Sequence, residues 1–186
     1  INDNNNSSEL TIIHEKKISV TKILFLLKYF KKEYIENGNI PKLNDQFEIK
    51  LFNTFRSYID PQLFFPKKYV KHSDERGSFI ELLRSGLSGQ FSFSTTNKGY
   101  VRGNHFHTRK IERFSVIEGK ALIEFRRIDM KEKYSFILDG SKPAYIDMPI
   151  WYTHNIKNIG NTSLITNFWI NEQYDPSDPD TFYINV

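Results

Sequence analysis

The chain has 186 residues, of which 39% are hydrophobic and 15% aromatic, a composition that excludes a disordered protein. It has no cysteine, which excludes disulfides and thiolate metal sites and favours a cytoplasmic location. The net charge is +4 and the basic residues are spread out, so we predict a small anionic ligand rather than nucleic acid. No apolar run approaches the ~20 residues of a membrane span, so no membrane partner is predicted.

The N-terminal third predicts helices. Apolar residues recur at helical spacing over residues 20–34, with Ser19 as N-cap and Asn37-Gly38 as a stop signal. A second helix is predicted over residues 44–59, with Asn44 as its N-cap. Two such short helices cannot fully bury their apolar stripes against each other. We therefore expect residues 1–65 to be a helical segment that packs on another body.

From residue 66 onwards the pattern changes to short strands. Apolar and polar residues alternate between turn signals, and the runs are residues 90–95, 113–117, 121–125, 134–138 and 164–170. Glu118-Gly119-Lys120 predicts a tight hairpin between two of them. Strands at this spacing without intervening helices indicate a β-sandwich or barrel over residues 66–186. The predicted fold class is mainly β.

The stretch GYVRGNHFHTRKIERFSVIEG, residues 99–119, has the form G-x5-H-x-H-x4-E-x6-G. On a strand, residues i and i+2 face the same side, so His105 and His107 should point together. Glu112 can return a carboxylate from the next strand, and His154, in the form P-x4-H-x3-N, offers a fourth ligand. Three imidazoles and a carboxylate suit Zn, Fe, Ni, Mn or Co. A lone H-x-H is more often a polar strand, but the four residues together favour a divalent metal site.

These two motifs are similar to the signature of the cupin family. Trp151 stands where that family has a glycine, which bears on the local turn more than on the ligand. The resemblance implies a double-stranded β-helix, a jelly-roll barrel, with the metal inside the barrel mouth and a short helical segment in front. Cupins include dioxygenases, isomerases, epimerases and binding modules, so the fold alone does not give the reaction.

Two further stretches narrow the chemistry. SDERGSFIELLRSG, residues 73–86, followed by GYVRGNHFH resembles the deoxysugar-nucleotide 3,5-epimerases, where an arginine matching Arg76 binds the diphosphate and a histidine matching His105 is the base. Residues from about 15 to 186 resemble the C-terminal half of the bifunctional capsular polysaccharide enzymes of the CapF (WbjC) type, and residues 1–65 the tail of their short-chain reductase domain. That resemblance implies a zinc-containing cupin that epimerises C3 of a UDP-4-keto-2-acetamido-dideoxy sugar.

Assignment of roles follows from this chemistry. If His105 is a metal ligand it cannot also be the base, so we nominate Lys110 and Tyr152, each next to ligands in sequence, as the proton carriers. For the UDP-sugar we nominate four residues, of which the arginines suit a diphosphate: Arg76, Arg102, Asn104 and Arg126. His14 and His72 are predicted to be bystanders.

The sequence also bears on the cofactors and partners of the chain and on its alternative functions. The chain has neither a glycine-rich dinucleotide loop nor a Y-x-x-x-K pair, so we expect no bound NADP and no reductase activity, with the reductase missing or on a separate chain. A homodimer is expected because cupins commonly pair through outer strands. The first alternative is a catalytically silent cupin whose metal supports dimerisation or sugar-nucleotide binding. The second is a metal-dependent dioxygenase.

Overall fold

A computed structural model describes residues 16–186 and shows a helical segment followed by two antiparallel sheets. The helices are α1 (Val20–Phe30), its π-helical continuation (Lys31–Glu36), α2 (Gln46–Ser57) and α3 (Pro61–Phe64). The strands are β1 (Lys71–Asp74), β2 (Gly77–Ser85), β3 (Gly89–Thr96), β4 (Val101–Phe106), β5 (Glu112–Glu118), β6 (Lys120–Arg127), β7 (Tyr134–Asp139), β8 (Ala144–Met148), β9 (Tyr152–Asn158), β10 (Leu164–Ile170) and β11 (Phe182–Tyr183). The predicted fold class is confirmed. Among the described residues no helix is long and apolar enough to cross a membrane.

The helix ends follow from capping chemistry. Ser19 caps α1 as predicted, since its Oγ accepts the N–H of Lys22. The prediction of Asn44 as the second cap was wrong by one residue. Asp45 accepts the N–H of Glu48, while the Glu48 carboxylate accepts the backbone N–H of Asn44, so the two acids satisfy the helix start reciprocally.

The helices bury each other only in part. Leu26, Phe30 and Phe52 form their buried cluster, with the rings of Phe30 and Phe52 5.1 Å apart. The segment joins the barrel through Ile40, whose N–H donates to the Arg84 carbonyl at 2.9 Å and whose carbonyl accepts the Gly86 N–H at 3.0 Å. It is therefore attached by backbone pairing next to β2.

The barrel core lies between the two sheets. The first sheet has the order β1-β2-β3-β10-β5-β8 and the second β11-β4-β9-β6-β7. Phe114 and Phe168 of the first sheet meet edge to face at 4.6 Å, and Ile123 and Ile156 of the second belong to the same buried cluster. Alternation places one face of the central strands, such as β5, β6 and β10, in this core.

The predicted hairpin at residues 118–120 was wrong. Strand β5 belongs to the first sheet and β6 to the second, so Gly119 carries the chain from one sheet to the other. Its φ of +86° is a left-handed conformation that favours glycine. Alternation along two neighbouring runs predicts two strands but does not say whether they pair with each other.

Candidate metal centre and substrate cavity

A bulge in β4 brings the histidines of the H-x-H motif together. The register between β4 and β9 shifts between Gly103 and His105, so that His105 pairs directly with His154. Gly103 has φ +99°, and a Cβ there would lie 2.7 Å from the His154 carbonyl oxygen, so the close approach requires glycine. The ring of His105 lies 5.0 Å from that of His107 and 4.7 Å from that of His154. The expectation that these histidines face the same way is met.

Glu112 completes the cluster from the first residue of β5. One ligand atom from each of His105, His107, Glu112 and His154 lies within 4.8 Å of all the others. Oε2 of Glu112 is 3.2 Å from Nε2 of His107 and 3.0 Å from Nε2 of His154. The two sheets thus meet at a His3Glu cluster in the barrel interior.

The hydrogen bonds behind the cluster fix which ring nitrogens face inward. Nδ1 of His107 donates to the Asp180 carbonyl at 2.5 Å, and Nδ1 of His154 lies 3.2 Å from the Tyr152 carbonyl. Nε2 of each ring then faces the Glu112 carboxylate, and in a neutral ring this atom carries a lone pair. A nitrogen lone pair is repelled by the negatively charged carboxylate oxygen. The arrangement is therefore unfavourable unless a proton or a cation lies between them.

A metal ion fits this arrangement. The Nε2 atom of His154 is buried and forms no hydrogen bond of good geometry, although Glu112 is near. Buried polar atoms normally have a partner, and a metal ion would supply one here. Three imidazoles and one carboxylate form the N3O set that divalent transition metals accept. The four residues can therefore hold one divalent ion.

Charges in the cluster are shifted by burial and by proximity. Burial, reinforced by His154, lowers the pKa of His105 to about 4, which keeps its ring neutral. Burial opposes the charge on Glu112, but the nearby His107 and His154 outweigh it and hold its pKa well below the ordinary value. Burial also opposes the charge on His107, yet its contact with Glu112 raises the His107 pKa. Neutral His105 and ionised Glu112 are the forms that bind metal.

Lys110 is placed beside the cluster by the C-terminal segment. Its side chain is only 3% exposed, lines the same cavity, and donates from Nζ to the Pro179 carbonyl at 2.5 Å. The Asp180 carboxylate accepts the backbone N–H groups of Thr108, Arg109 and Lys110. Asp180 therefore holds both the loop that carries Lys110 and, through its carbonyl, the ligand His107.

The cavity above the cluster has a volume of about 520 Å³. Arg76 and Arg102 lie on its wall together with the four cluster residues and Lys110. Arg76 forms a two-pronged ion pair with Asp74, and Arg102 donates to Oγ1 of Thr96 at 3.2 Å. Asp74 is the carboxylate near both guanidinium groups, since it lies 3.8 Å from Arg102.

The family of this domain follows from its similarity to known proteins. The polysaccharide biosynthesis C-terminal domain family matches residues 72–182. The chain belongs to this family. A UDP-2-acetamido-2,6-beta-L-arabino-hexul-4-ose reductase of Pseudomonas aeruginosa is 38% identical over 136 residues, which cover 73% of this chain and 36% of that protein. The spore coat polysaccharide biosynthesis protein SpsL of Bacillus subtilis is 28% identical over 61% of this chain and 82% of its own length.

Solved structures give the same relationship. The capsular polysaccharide assembling protein CapF of Staphylococcus aureus superimposes with a TM-score of 0.80 at 37% identity, over 91% of this chain and 49% of that one. CapF with the inhibitor 3-isopropenyl-tropolone superimposes with a TM-score of 0.78 at 38% identity, over 89% of this chain and 48% of that one. The chain is thus a CapF-like cupin domain that spans 36% of the Pseudomonas relative and about half of the CapF chains.

Three nominated residues of this polysaccharide biosynthesis domain do not reach the cavity. Tyr152 packs its ring against Phe125 at 5.9 Å and Tyr134 at 6.5 Å. Arg126 follows Phe125 on the opposite face of β6, where its guanidinium donates to backbone carbonyls, including that of Asn185 at 2.7 Å. Neither lines the cavity. This cavity therefore lends no support to the predictions of Tyr152 as proton carrier and of Arg126 as diphosphate ligand.

Asn104 is the third residue that the fold turns away. It is the bulge residue of β4, with φ +61°, and its Oδ1 accepts the Nδ2–H of Asn155 at 3.2 Å. The bulge that brings His105 to His154 therefore rotates Asn104 toward the far face of the sheet. This cavity lends no support to its prediction as a substrate-binding residue either.

The turn before His154 tolerates the tryptophan that replaces the family glycine. Trp151 has φ +65°, its N–H donates to the His107 carbonyl at 2.8 Å, and its ring packs against Phe106. The backbone hydrogen bond and the ring contact offset the cost of a left-handed conformation.

The cavity wall contains residues that sequence reasoning missed. His72, predicted to be a bystander, lies on the wall, while His14 falls outside the described residues. Tyr183, on β11, places its ring 6.1 Å from that of His105, and Tyr174 also lines the cavity. No local pattern pointed to the last two, because the fold brings them to His105 and His107 from about 70 residues further along the chain.

Proposed function

We propose that this chain is a metal-binding sugar-nucleotide 3-epimerase that inverts C3 of a UDP-4-keto-2-acetamido-dideoxy hexose for surface polysaccharide synthesis. One observation carries the proposal: a buried lysine and a His3Glu cluster share a cavity with two arginines. A proton carrier, a metal site and diphosphate-binding groups are the parts such a reaction needs. The name of the Pseudomonas relative, a reductase of a UDP-2-acetamido-hexul-4-ose, supports the same class of substrate.

The chemistry is proton transfer next to a ketone. The C4 carbonyl acidifies the C3–H, so a base can remove that proton and leave an enolate. Return of a proton to the opposite face then inverts C3, and no redox cofactor is consumed. The site must hold the substrate, carry two protons and stabilise the enolate oxygen.

Lys110 is the proposed proton carrier on one face of the sugar. Its anchoring on the Pro179 carbonyl fixes Nζ at the cavity wall, where the side chain is only 3% exposed. Tyr183 takes the place of Tyr152 as the proposed carrier on the other face, because it lines the cavity beside His105. Arg76 and Arg102 are proposed to bind the diphosphate, since a guanidinium can donate two hydrogen bonds to phosphate oxygens.

His105, His107, Glu112 and His154 are the proposed metal ligands, and zinc is the proposed ion. When bound, the ion supplies a positive charge that can stabilise the enolate oxygen as a Lewis acid. A tropolone carries adjacent carbonyl and hydroxyl oxygens, a pair that chelates divalent metals. The structure of CapF with a tropolone inhibitor is consistent with a metal centre in that protein.

Reduction at C4 is proposed to belong to a part of the relatives that this chain does not cover, and no NADP is proposed to bind here. We also propose a cytoplasmic homodimer. The absence of cysteine supports the location, and the edge strand β7, with an exposed Ile137, offers a surface that a second copy could cover.

The test is solvent-deuterium incorporation. The metal-loaded chain, incubated in D2O with a UDP-4-keto-2-acetamido-dideoxy hexose and no NADPH, should exchange the C3 proton, measured by loss of the C3 signal in the NMR spectrum. Lys110→Met should slow the exchange by about 10²-fold or more. Lys157→Met, at an exposed position on β9, is the matched control and should not change it.

The exchange measurements test the epimerase proposal and the role of Lys110 separately. No exchange by metal-loaded protein would contradict the epimerase and favour a silent, metal-containing cupin. Exchange that survives in Lys110→Met would remove the assignment of that lysine and leave the epimerase in place.

A further inference from the structure

A second cavity adjoins the substrate cavity on the side of the helical segment. Its volume is about 510 Å³, and it lies between the end of the helices and strands β1 and β2. His72, Glu81 and Arg84 line both cavities, so these three side chains form a shared wall. A ligand that fills the first cavity and is too long for it can extend past this wall into the second.

The lining of the second cavity combines aromatic rings with positive charge. The aromatic side chains of Phe65 and Tyr69 are 53% and 61% exposed, and they lie beside Lys67 and Lys68. Exposed rings offer a surface on which a planar base can stack, and lysines attract phosphate oxygens. This pairing is what a nucleotide would need and what a free hexose would not use.

The helical side of the second cavity is attached to the barrel by backbone hydrogen bonds. The backbone pairing of Ile40 with residues 84–86 attaches the helical segment next to the shared wall. The Arg84 guanidinium is held by Glu81, with Nη2 3.0 Å from Oε2. The two cavities are therefore held in a defined relation without any ligand.

We propose that the second cavity binds the uridine of the UDP-sugar, with the base stacked on Tyr69 and the lysines adding positive charge that attracts the nucleotide. This inference rests on the proposed function, and it deepens it by giving the helical segment a part in substrate recognition. The sugar lies over the His3Glu cluster, the diphosphate passes Arg76 and Arg102, and the nucleoside crosses the wall at His72.

The first experiment measures binding of UDP alone to the full metal-loaded chain by titration calorimetry. Tyr69→Ala should weaken UDP binding by about tenfold, because loss of one stacking ring costs that much. Lys67→Ala should weaken it as well, and more at low than at high salt. The matched control is Tyr58→Ala, which removes a tyrosine that is 86% exposed in the helical segment and lies outside the second cavity. All of these residues are at the surface, and melting temperatures check that the variants fold.

The second experiment separates this inference from the epimerase proposal. With the UDP-sugar, Tyr69→Ala should raise the half-saturating concentration for C3 exchange about tenfold and leave the maximal rate unchanged. UDP binding that weakens in Tyr69→Ala supports the subsite even if no C3 exchange occurs, in which case only the epimerase fails. Equal UDP affinity in wild type, Tyr69→Ala and Tyr58→Ala would overturn the subsite, even if exchange is observed.

Discussion

The floor and the mouth of the substrate cavity are built in different ways. At the floor, Lys110 and three of the four cluster residues are buried, and carbonyl groups from the C-terminal segment orient His107 and Lys110. At the mouth, Arg76 and Arg102 share Asp74, and Arg76 is half exposed. The floor depends on geometry in a region of low dielectric, while the mouth depends on charge near water. Changes at the floor should therefore have larger effects than changes at the mouth.

The largest effect is expected for His154→Ala. His154 is fully buried, and its loss removes one ligand while leaving Glu112 ionised in the interior. Changes behind metal ligands already cost ~10–100-fold in affinity, so loss of a ligand should cost more than about 100-fold. Elemental analysis and metal titration should show one ion per wild-type chain and almost none in the variant.

His72→Ala is the control, because it removes an imidazole from the cavity wall and not from the cluster. Equal metal content in His154→Ala and wild type would show that the cluster is not a metal centre.

Asp180→Asn should have an intermediate effect. Asparagine has about the same shape but puts an N–H2 group where an oxygen accepts backbone N–H groups of residues 108–110. Leaving such buried donors without a partner should cost about 2 kcal/mol of unfolding free energy, measured by urea titration. Metal affinity should fall by about tenfold, because losing the side-chain anchor shifts residue 180 and with it the backbone carbonyl that positions His107. Asp175→Asn, in an exposed turn of the same segment, is the control.

The contribution of the Asp180 carboxylate to the stability of the protein should decrease at low pH. Burial opposes its charge, but the hydrogen bonds from Thr108, Arg109 and Lys110 outweigh it and lower the Asp180 pKa to about 2. Because the folded pKa lies below the ordinary 3.8, the carboxylate stabilises the protein fully above about pH 4, and this is lost as pH falls toward 2. The stability difference between wild type and Asp180→Asn should narrow over that range. A difference that stays constant from pH 7 to pH 2 would contradict this assignment.

The smallest effect is expected for Arg76→Gln at the mouth. The exposed guanidinium is screened by water and salt, so its loss should raise the half-saturating substrate concentration only about fivefold. Added salt should weaken substrate binding to wild type more than to the variant, because the variant has lost one charge contact. Arg113→Gln, whose ion pair with Asp147 lies on another part of the first sheet, is the control. The same salt sensitivity in all three proteins would argue against a diphosphate at this position.

The same comparison shows what the sequence could predict. The floor was predictable because the four candidate ligands at motif spacing lie on strands or directly after one, and the alternation of β4 turns His105 and His107 the same way. Spacing along the chain did not reveal that Tyr152 and Arg126 lie outside the cavity. Arg126 is on the opposite face of β6 from Phe125, while Tyr152 is on the same face as His154 and packs on Phe125, away from the cavity wall. The bulge at Asn104 reverses the alternation there. Residue spacing encodes neither a bulge nor the position of a residue along the barrel.

Contributions from distant parts of the chain could not be predicted. Asp180 and Tyr183 reach the cluster from the C-terminal segment, about 70 residues beyond the histidine motif, and no local pattern connects them to it. The assignment of β5 and β6 to different sheets was also hidden, since a glycine turn between two alternating runs is compatible with pairing or crossing. Such contacts follow from tertiary topology.

The central claim is that residues at the floor determine the maximal rate of exchange and that the arginines at the mouth determine the affinity for the substrate. Its most direct test is the concentration dependence of C3 deuterium exchange, measured side by side for wild type, Lys110→Met and Arg76→Gln. The account predicts that Lys110→Met lowers the maximal rate by about 10²-fold or more with a similar half-saturating concentration. It predicts that Arg76→Gln raises that concentration and leaves the maximal rate close to wild type. A lower maximal rate in Arg76→Gln together with an unchanged rate in Lys110→Met would contradict it.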